Sequence, residues 1–191
     1  MVRLVQIDVP ADVLAAARRG DPRARERIYR ELAGATFGLI RRLIGVTAVA
    51  EDLFQDTLLT LYQRLDDFRG EAPLGAWVRQ IAVSKCLMHL RSPWHRARLD
   101  FAFSSEEEPV WLTRAALAGP SGAAVDLERA LESLAPTARA IVWLYEVEGY
   151  SHQEIARSFG RSVSFSKSQL ARAHQRLRAW LEPHGEGVPC P

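Results

Sequence analysis

Residues 149–181 read GYSHQEIARSFGRSVSFSKSQLARAHQRLRAWL. Gly149 suits the end of one helix. Ser151-His152-Gln153-Glu154 then has the spacing of a capping box, in which a serine and a glutamate three residues on satisfy each other's backbone N–H groups. The helix so opened is short, because Gly160 tolerates the left-handed conformation that ends it. After a two-residue turn, Ser162 caps a long amphipathic helix. Ala156 and Gly160 stand four apart, as a helix-turn-helix requires: a small side chain where two helices cross and a permissive backbone at the turn. Ile155, Phe159, Val163, Leu170, Ala173 and Leu177 are expected to fill the interhelical core. Ser164, Phe165, Lys167, Ser168, Gln169, Arg172 and Gln175 are then expected to face outward. Such a helix fits a major groove, where Gln and Arg read base edges and Lys, Ser and further Arg hold phosphates. An ordinary three-helix packing unit uses Ala and Gly at its crossings too, so charge has to arbitrate.

The chain has 191 residues and a formal net charge of +2, and 23 of its 25 basic residues are Arg. Between Ala72 and Leu99 there is no Asp or Glu, yet Arg79, Lys85, Arg91, Arg96 and Arg98 are present. Between Ile155 and Leu181 there is again no acid, alongside Arg157, Arg161, Lys167, Arg172, Arg176 and Arg178. A merely solvated helix face normally mixes both signs. Two acid-free basic stretches in a near-neutral chain are expected to face a polyanion.

An apolar fraction of 48% is enough to bury a core and excludes a disordered chain or a disulfide scaffold. The longest uncharged apolar stretch, Leu32 to Ile40, is about half of what a membrane span requires, and no basic, apolar leader opens the chain. A cytoplasmic protein without membrane insertion is expected. Cys86 and Cys190 lie far apart, with no partner at metal-ligand spacing. Cys86 reads as a small buried apolar residue before it reads as a redox sensor.

Helical periodicity dominates, and no period-two run argues for a sheet. Helices are expected over Asp12 to Arg19, from Asp21-Pro22 to Leu43, from a cap at Thr47 to Leu65, and over Leu74 to Arg91. Further helices are expected over Asp126 to Ser133, Pro136 to Val147, His152 to Phe159 and Val163 to Leu181. Gly34 and Gly38 weaken the second helix and suit a close helix crossing. The fold class is therefore all-α, two small helical domains joined by a flexible linker. The boundaries are 1–93, a linker over 94–124, 125–182, and a tail over 183–191. The linker holds the acidic cluster Glu106-Glu107-Glu108 and the apolar Trp94, Phe101, Phe103 and Trp111, which suggest docking on something.

Ala50-Glu51-Asp52-Leu53-Phe54-Gln55-Asp56 opens a helix with two faces. Leu53, Phe54, Leu58, Leu61 and Leu65 form the expected buried stripe. Asp52, Gln55, Asp56, Leu59 and Gln63 lie on the other side at spacings of three and four. That face is either solvated surface or a dock for a protein partner.

Two stretches carry a family resemblance. AEDLFQDTLLTLYQRLDDFRGEAPLGAWVRQIAVSKCLMHLRS resembles region 2 of bacterial sigma factors of the extracytoplasmic-function group. LESLAPTARAIVWLYEVEGYSHQEIARSFGRSVSFSKSQLARAHQRLRAWL resembles region 4 of the same group. Together these segments cover about half the chain, in the family's order. The resemblance implies an RNA polymerase subunit that directs promoter-specific initiation, with no cofactor, no metal site and no catalytic residue of its own.

By that resemblance, Asp52, Gln55, Asp56 and Leu59 dock on the clamp helices of the beta-prime subunit, and the beta flap is a second polymerase contact. Asp67, Arg69, Trp77, Arg79, Gln80, Lys85, His89 and Arg91 meet the −10 element and help to open it. A basic groove with an aromatic platform suits a single strand, although Trp77 beside Val78 and Ile81 reads equally well as core. Arg161, Ser164, Phe165, Lys167, Ser168, Gln169, Arg172 and Arg176 meet the −35 duplex. The linker runs near the polymerase active site, and an anti-sigma partner is common in the family.

The chain departs from the family at Val83-Ser84, where an Arg-Asn pair is usual, and at Met88, where an Asp is usual. Phe165 and Gln169 likewise replace a small hydroxyl and a cation. Two other function classes compete. A free-standing helix-turn-helix regulator, with residues 1–95 as an effector or dimerisation domain, leaves the Asp52 to Gln63 face unexplained. An enzyme lacks a phosphate loop, a His-Glu-x-x-His, a nucleophile elbow or a cysteine-histidine cluster to work with.

Overall fold

Asp21 decides where the longest helix starts. Its carboxylate accepts the backbone N–H of Arg23 at 2.8 Å and of Ala24 at 3.4 Å, with Pro22 in the first helical position where no N–H is needed. The computed structural model describes residues 4–92 and 123–181, and among these the regular structure is helical throughout. They divide into two compact units, Met1–Leu90 and Arg91–Pro191.

The first unit holds α1 (Ala11–Arg18), α2 (Pro22–Ile44), α3 (Thr47–Gln63) and α4 (Leu74–Arg91), with short 3-10 turns at Leu4–Gln6 and Leu65–Asp67. The second holds α5 (Ala123–Glu132), α6 (Pro136–Val142), α7 (His152–Phe159) and α8 (Val163–Leu181). No helix among the described residues is long and apolar enough to cross a membrane. The expected linker lies outside the described residues except at its end, where Ala123 already opens α5. The acidic cluster, the linker aromatics, Arg96, Arg98 and the tail lie outside them as well.

In the first unit, Ile28, Leu32, Ile40 and Leu43 of α2 are buried with Leu61 of α3 and Leu74, Val78 and Cys86 of α4. Burial pushes the Cys86 thiol up to about 12. It stays protonated at neutral pH, which makes it a poor nucleophile and a good apolar filler. The Arg18 guanidinium donates to the carbonyls of Leu65 and Phe68, tying the end of α1 to the turn after α3. Asp8 caps α4 from 66 residues away, its carboxylate accepting the Leu74 N–H at 3.2 Å. Gly75 donates its N–H to the Ile7 carbonyl at 2.8 Å, and a Cβ there would overlap the Leu4 carbonyl oxygen. A glycine is therefore required where the N-terminal segment crosses α4.

Several expectations are corrected. Thr47 is the first helical residue rather than the cap; Val46 holds the cap position and gives no side-chain bond. That helix ends at Gln63, because the chain tightens into the 3-10 turn at Leu65. Gly34 and Gly38 mark no helix crossing: a Cβ on Gly34 meets nothing within 4 Å, and one on Gly38 meets only the tip of Arg42. On α3 the wholly buried positions are Ala50, Thr57 and Leu61, while Leu53, Phe54 and Leu58 are half-buried. The helix expected over Pro136 to Val147 changes at Trp143 into a π-helical turn, where the Glu148 N–H bonds the Trp143 carbonyl at 3.0 Å.

In the second unit, Leu134, Ile141, Leu144 and Ile155 are fully buried, and Ala156, Phe159, Leu170 and Ala173 complete the core. Val163 is exposed and Leu177 half-buried, against expectation. Val163 sits in the first turn of α8, and Ser166 takes the inward position instead.

Two stability predictions follow from the first unit. The Thr36 hydroxyl is fully buried and has no hydrogen-bond partner among the described residues. Replacing it with the isosteric methyl in Thr36→Val should raise stability by about 1 kcal/mol, read as a higher chemical-denaturation midpoint. An unchanged or lower midpoint would mean that the hydroxyl is satisfied. Gly75→Ala should lower stability by about 1–3 kcal/mol, since backbone must move to admit the methyl. A midpoint matching wild type would remove the close crossing.

Candidate polymerase and nucleic-acid interfaces

The first surface is one side of α3. At 3.6 residues per turn, Asp52, Gln55, Asp56, Leu59 and Gln63 fall in a single row, and all five are exposed. Leu59 is 59% exposed, so an apolar side chain stands in water amid carboxylates and amides. The helix is held from its other sides. Toward α2, Phe54 packs on Tyr29 and edge-on against Phe37, with ring centroids 6.3 and 5.7 Å apart, and the Tyr62 hydroxyl donates to the Arg25 carbonyl at 2.8 Å. Toward α4, Asp56 lies 4.0 Å from the Lys85 ammonium.

The second surface is on α4 and the turn before it. Gln80, Ser84, Met88 and Arg91, at spacings of four, four and three, form its exposed stripe, and Met88 is 67% exposed. Two of the three departures in this region, Ser84 and Met88, therefore lie in the solvent-facing row, while Val83 is buried in the core. Both departures share one face with Gln80 and Arg91, a grouping the sequence reading lacks.

Among the other expected −10 residues, Arg79 is half-buried and the Lys85 side chain is 20% exposed beside Asp56. His89 is half-buried, and that burial lowers its pKa. Its imidazole is therefore neutral at pH 7 and offers a hydrogen bond rather than a charge. Trp77 is half-buried with its ring against buried Phe68, centroids 5.4 Å apart, so part of it is core and part reaches the surface. In the turn, Asp67 pairs with Arg64 at 2.9 Å, and the exposed Arg69 lies 3.9 Å from Glu71.

The third surface is α8. The capping box is present: Ser151 Oγ accepts the Glu154 N–H at 3.2 Å, and the Glu154 carboxylate accepts the Ser151 N–H at 2.8 Å. Gly160 ends α7 with φ at 61°, in the left-handed region. Ser162 Oγ then accepts the Phe165 N–H at 3.2 Å and starts α8. Ser164, Lys167, Ser168 and Arg172 are exposed along α8, with Arg161 just before it and Arg176 further on. The Arg172 guanidinium folds back on the Ser168 carbonyl at 3.3 Å.

Phe165 and Gln169 are half-buried rather than outward. Phe165 leans on Phe159 at 6.3 Å beneath the Arg161 guanidinium at 5.8 Å. Gln169 lines a cleft of about 530 Å³ with Ala135, Ala138, Arg172, Ala173 and Arg176. Ala135 and Ala138, at the start of α6, leave that flank of α8 open, and Gln169 lies along it.

One set of contacts escaped the sequence. The buried Ser166 Oγ is 3.0 Å from His152 Nδ1, joining the two helices of the motif through its core. The His152 ring stacks on Tyr145 with centroids 4.4 Å apart, and His174 of α8 pairs with Glu146 at 3.1 Å. Tyr145 and Glu146 both belong to the π turn, which thereby grips α7 and α8 together. Arg139 is also buried, its pKa lowered by desolvation and supported by the charge of Glu132.

Comparison with known proteins bears on both units. Residues 28–96 match the family described as Sigma-70 region 2, and residues 124–177 match Sigma-70, region 4. The chain is 30% identical over 178 residues to the ECF RNA polymerase sigma factor SigM of Mycobacterium tuberculosis, covering 93% of this chain and 87% of that one. It is 26% identical to the RNA polymerase sigma-H factor of Pseudomonas aeruginosa, over 87% of this chain and 90% of the relative. Among solved structures, the sigma factor RpoE of Bartonella quintana, in complex with the anti-sigma factor NepR, has a similar fold. Its TM-score is 0.51 at 23% identity, over 83% of this chain and 97% of that one.

Loss of the buried bond in Ser166→Ala should destabilise the second unit by about 1 kcal/mol, measured as a lower melting temperature. His152→Phe, which keeps the stack on Tyr145 but leaves Ser166 without its partner, should cost a similar amount. The double variant should cost less than the sum of the two. Strict additivity would show that the two side chains act independently.

Proposed function

The chain belongs to the extracytoplasmic-function RNA polymerase sigma factors of the sigma-70 family, and from that membership we propose how its exposed surfaces divide the work. As a sigma factor it binds core RNA polymerase and promoter DNA and directs transcription initiation. The family is one of specificity subunits and not of enzymes. A free-standing regulator is not favoured, because both sigma regions match in order on one chain.

The exposed row Asp52, Gln55, Asp56 and Leu59 on α3 carries the proposal. It is the surface that docks on the beta-prime clamp helices. A leucine ringed by carboxylates and amides in water is stabilised when a partner covers its apolar surface and meets the carboxylates with cations. The α4 stripe and the preceding turn, with Arg69, Trp77, Arg79, Gln80, Lys85, His89 and Arg91, take the −10 element. The absence of the usual Arg-Asn pair and Asp gives that element its own preferences. Arg161, Ser164, Lys167, Ser168, Arg172 and Arg176 take the −35 duplex, with Phe165 and Gln169 on its edge, and the second unit also meets the beta flap.

The functional boundaries are 1–93 and 125–182, joined by 94–124. Polymerase brings the two DNA-binding surfaces to a set spacing, so the second contact becomes effectively intramolecular. Catalysis stays with the polymerase, and the chain works in the cytoplasm beside it. An anti-sigma protein is a further partner, as NepR is for the Bartonella quintana protein.

Co-purification with bacterial core RNA polymerase tests the central assignment. Wild type should bind stoichiometrically, and the double variant Gln55→Ala, Asp56→Ala should lose at least about tenfold in affinity while melting as wild type does. Retention of full binding by a folded double variant would move the polymerase dock off α3.

A further inference from the structure

The outer face of α2 serves none of these surfaces. Arg23, Arg27, Arg30, Gly34, Gly38 and Arg41 follow one another at spacings of four, three, four, four and three residues, which places them on one stripe of the helix. Five of the six are exposed and Gly38 is half-buried. Arg30 pairs with the exposed Glu26, while Arg23, Arg27 and Arg41 have no acidic partner among the described residues. Glu31 is the other carboxylate on that side. An exposed pair such as Glu26–Arg30 holds weakly and gives way to a stronger anion.

The glycines are the telling part. A glycine inside a helix is unfavourable by about 1 kcal/mol relative to alanine. Nothing among the described residues calls for Gly34, since a Cβ there meets none of their atoms within 4 Å, and at Gly38 it meets only the flexible end of Arg42. Bare backbone on an exposed face lets something from outside come close. Here it lies between cations at both ends, with about 27 Å of helix from Arg23 to Arg41.

We propose that this arginine–glycine stripe of α2 is a further DNA-binding surface, which takes the sugar-phosphate backbone of promoter duplex without reading its sequence. The inference rests on the chain being a promoter-binding subunit and adds a contact beyond those to the −10 and −35 elements. Arg23, Arg27 and Arg41, without an acidic partner among the described residues, and the weakly paired Arg30 provide the charge that duplex phosphates match, and the glycine stretch provides the approach.

The test uses the full chain and a fluorescein-labelled 30-base-pair duplex of arbitrary sequence, followed by anisotropy across a salt series. The triple variant Arg23→Ala, Arg27→Ala, Arg30→Ala should bind at least about tenfold more weakly at 50 mM salt, and its log–log salt slope should be shallower by about 2–3. Gly34→Gln should weaken DNA binding severalfold while its melting temperature rises by about 4–8 °C, because a better helix former fills empty space. Lys167→Ala, Arg172→Ala on α8 is the control. If only the α8 variant weakens, the α2 surface is overturned and the promoter assignment stands. If none of the variants weakens, both fall. If the α2 variants bind DNA as wild type does but lose core polymerase, the stripe belongs to a protein contact and the proposal is wrong.

Discussion

An α-helix leaves its first N–H groups without partners, and meeting that demand organises both halves of this protein. Asp21 and Pro22 open α2, Asp8 reaches across 66 residues to open α4, the Ser151–Glu154 box opens α7, and Ser162 opens α8. Each cap fixes the rotational phase of its helix, and the phase decides which side chains face water. Rotating α3 by the equivalent of one residue would carry the whole row of Asp52, Gln55 and Leu59 about 100° around the axis and away from solvent.

The two helices proposed to face DNA are supported differently. α8 is held by a short turn, a buried hydroxyl–imidazole bond and a π-helical turn whose Tyr145 and Glu146 reach the two helices of the motif. A polar contact inside an apolar core is sensitive to geometry, so it favours one arrangement of α7 on α8 over near alternatives. α4 is held by apolar burial along Val78, Ala82 and Cys86 and by its crossing with the N-terminal segment at Gly75. Its exposed face carries an uncharged serine and a methionine among the polar side chains.

Asp56 and Lys85 stand between the face assigned to polymerase and the face assigned to DNA. At 4.0 Å and with Asp56 well exposed, the pair contributes little to folding. A partner that recruits Asp56 therefore disturbs the fold little while changing the surroundings of Lys85. The two proposed surfaces thus share one helix pair, joined by this exposed contact.

The chain's own residues determined much of this. Capping residues, glycines and apolar spacing placed the helix-turn-helix within a residue or so, because those signals act over three or four positions. The Asp52 to Gln63 row was legible for the same reason, since helical phase alone sets it. Only the tertiary structure decided the rest. Ser166 became core and Val163 surface because α7 crosses α8 at a particular height. Phe165 is half-buried because it meets Phe159 of α7, and Gln169 because it lines the cleft beside the alanines of α6. The Gly75 requirement arose from a carbonyl 71 residues earlier in the chain, and the contacts of Tyr145 and Glu146 in the π turn join residues of α7 and α8. Such features depend on groups far apart in sequence, and local periodicity carries no record of distance across the fold.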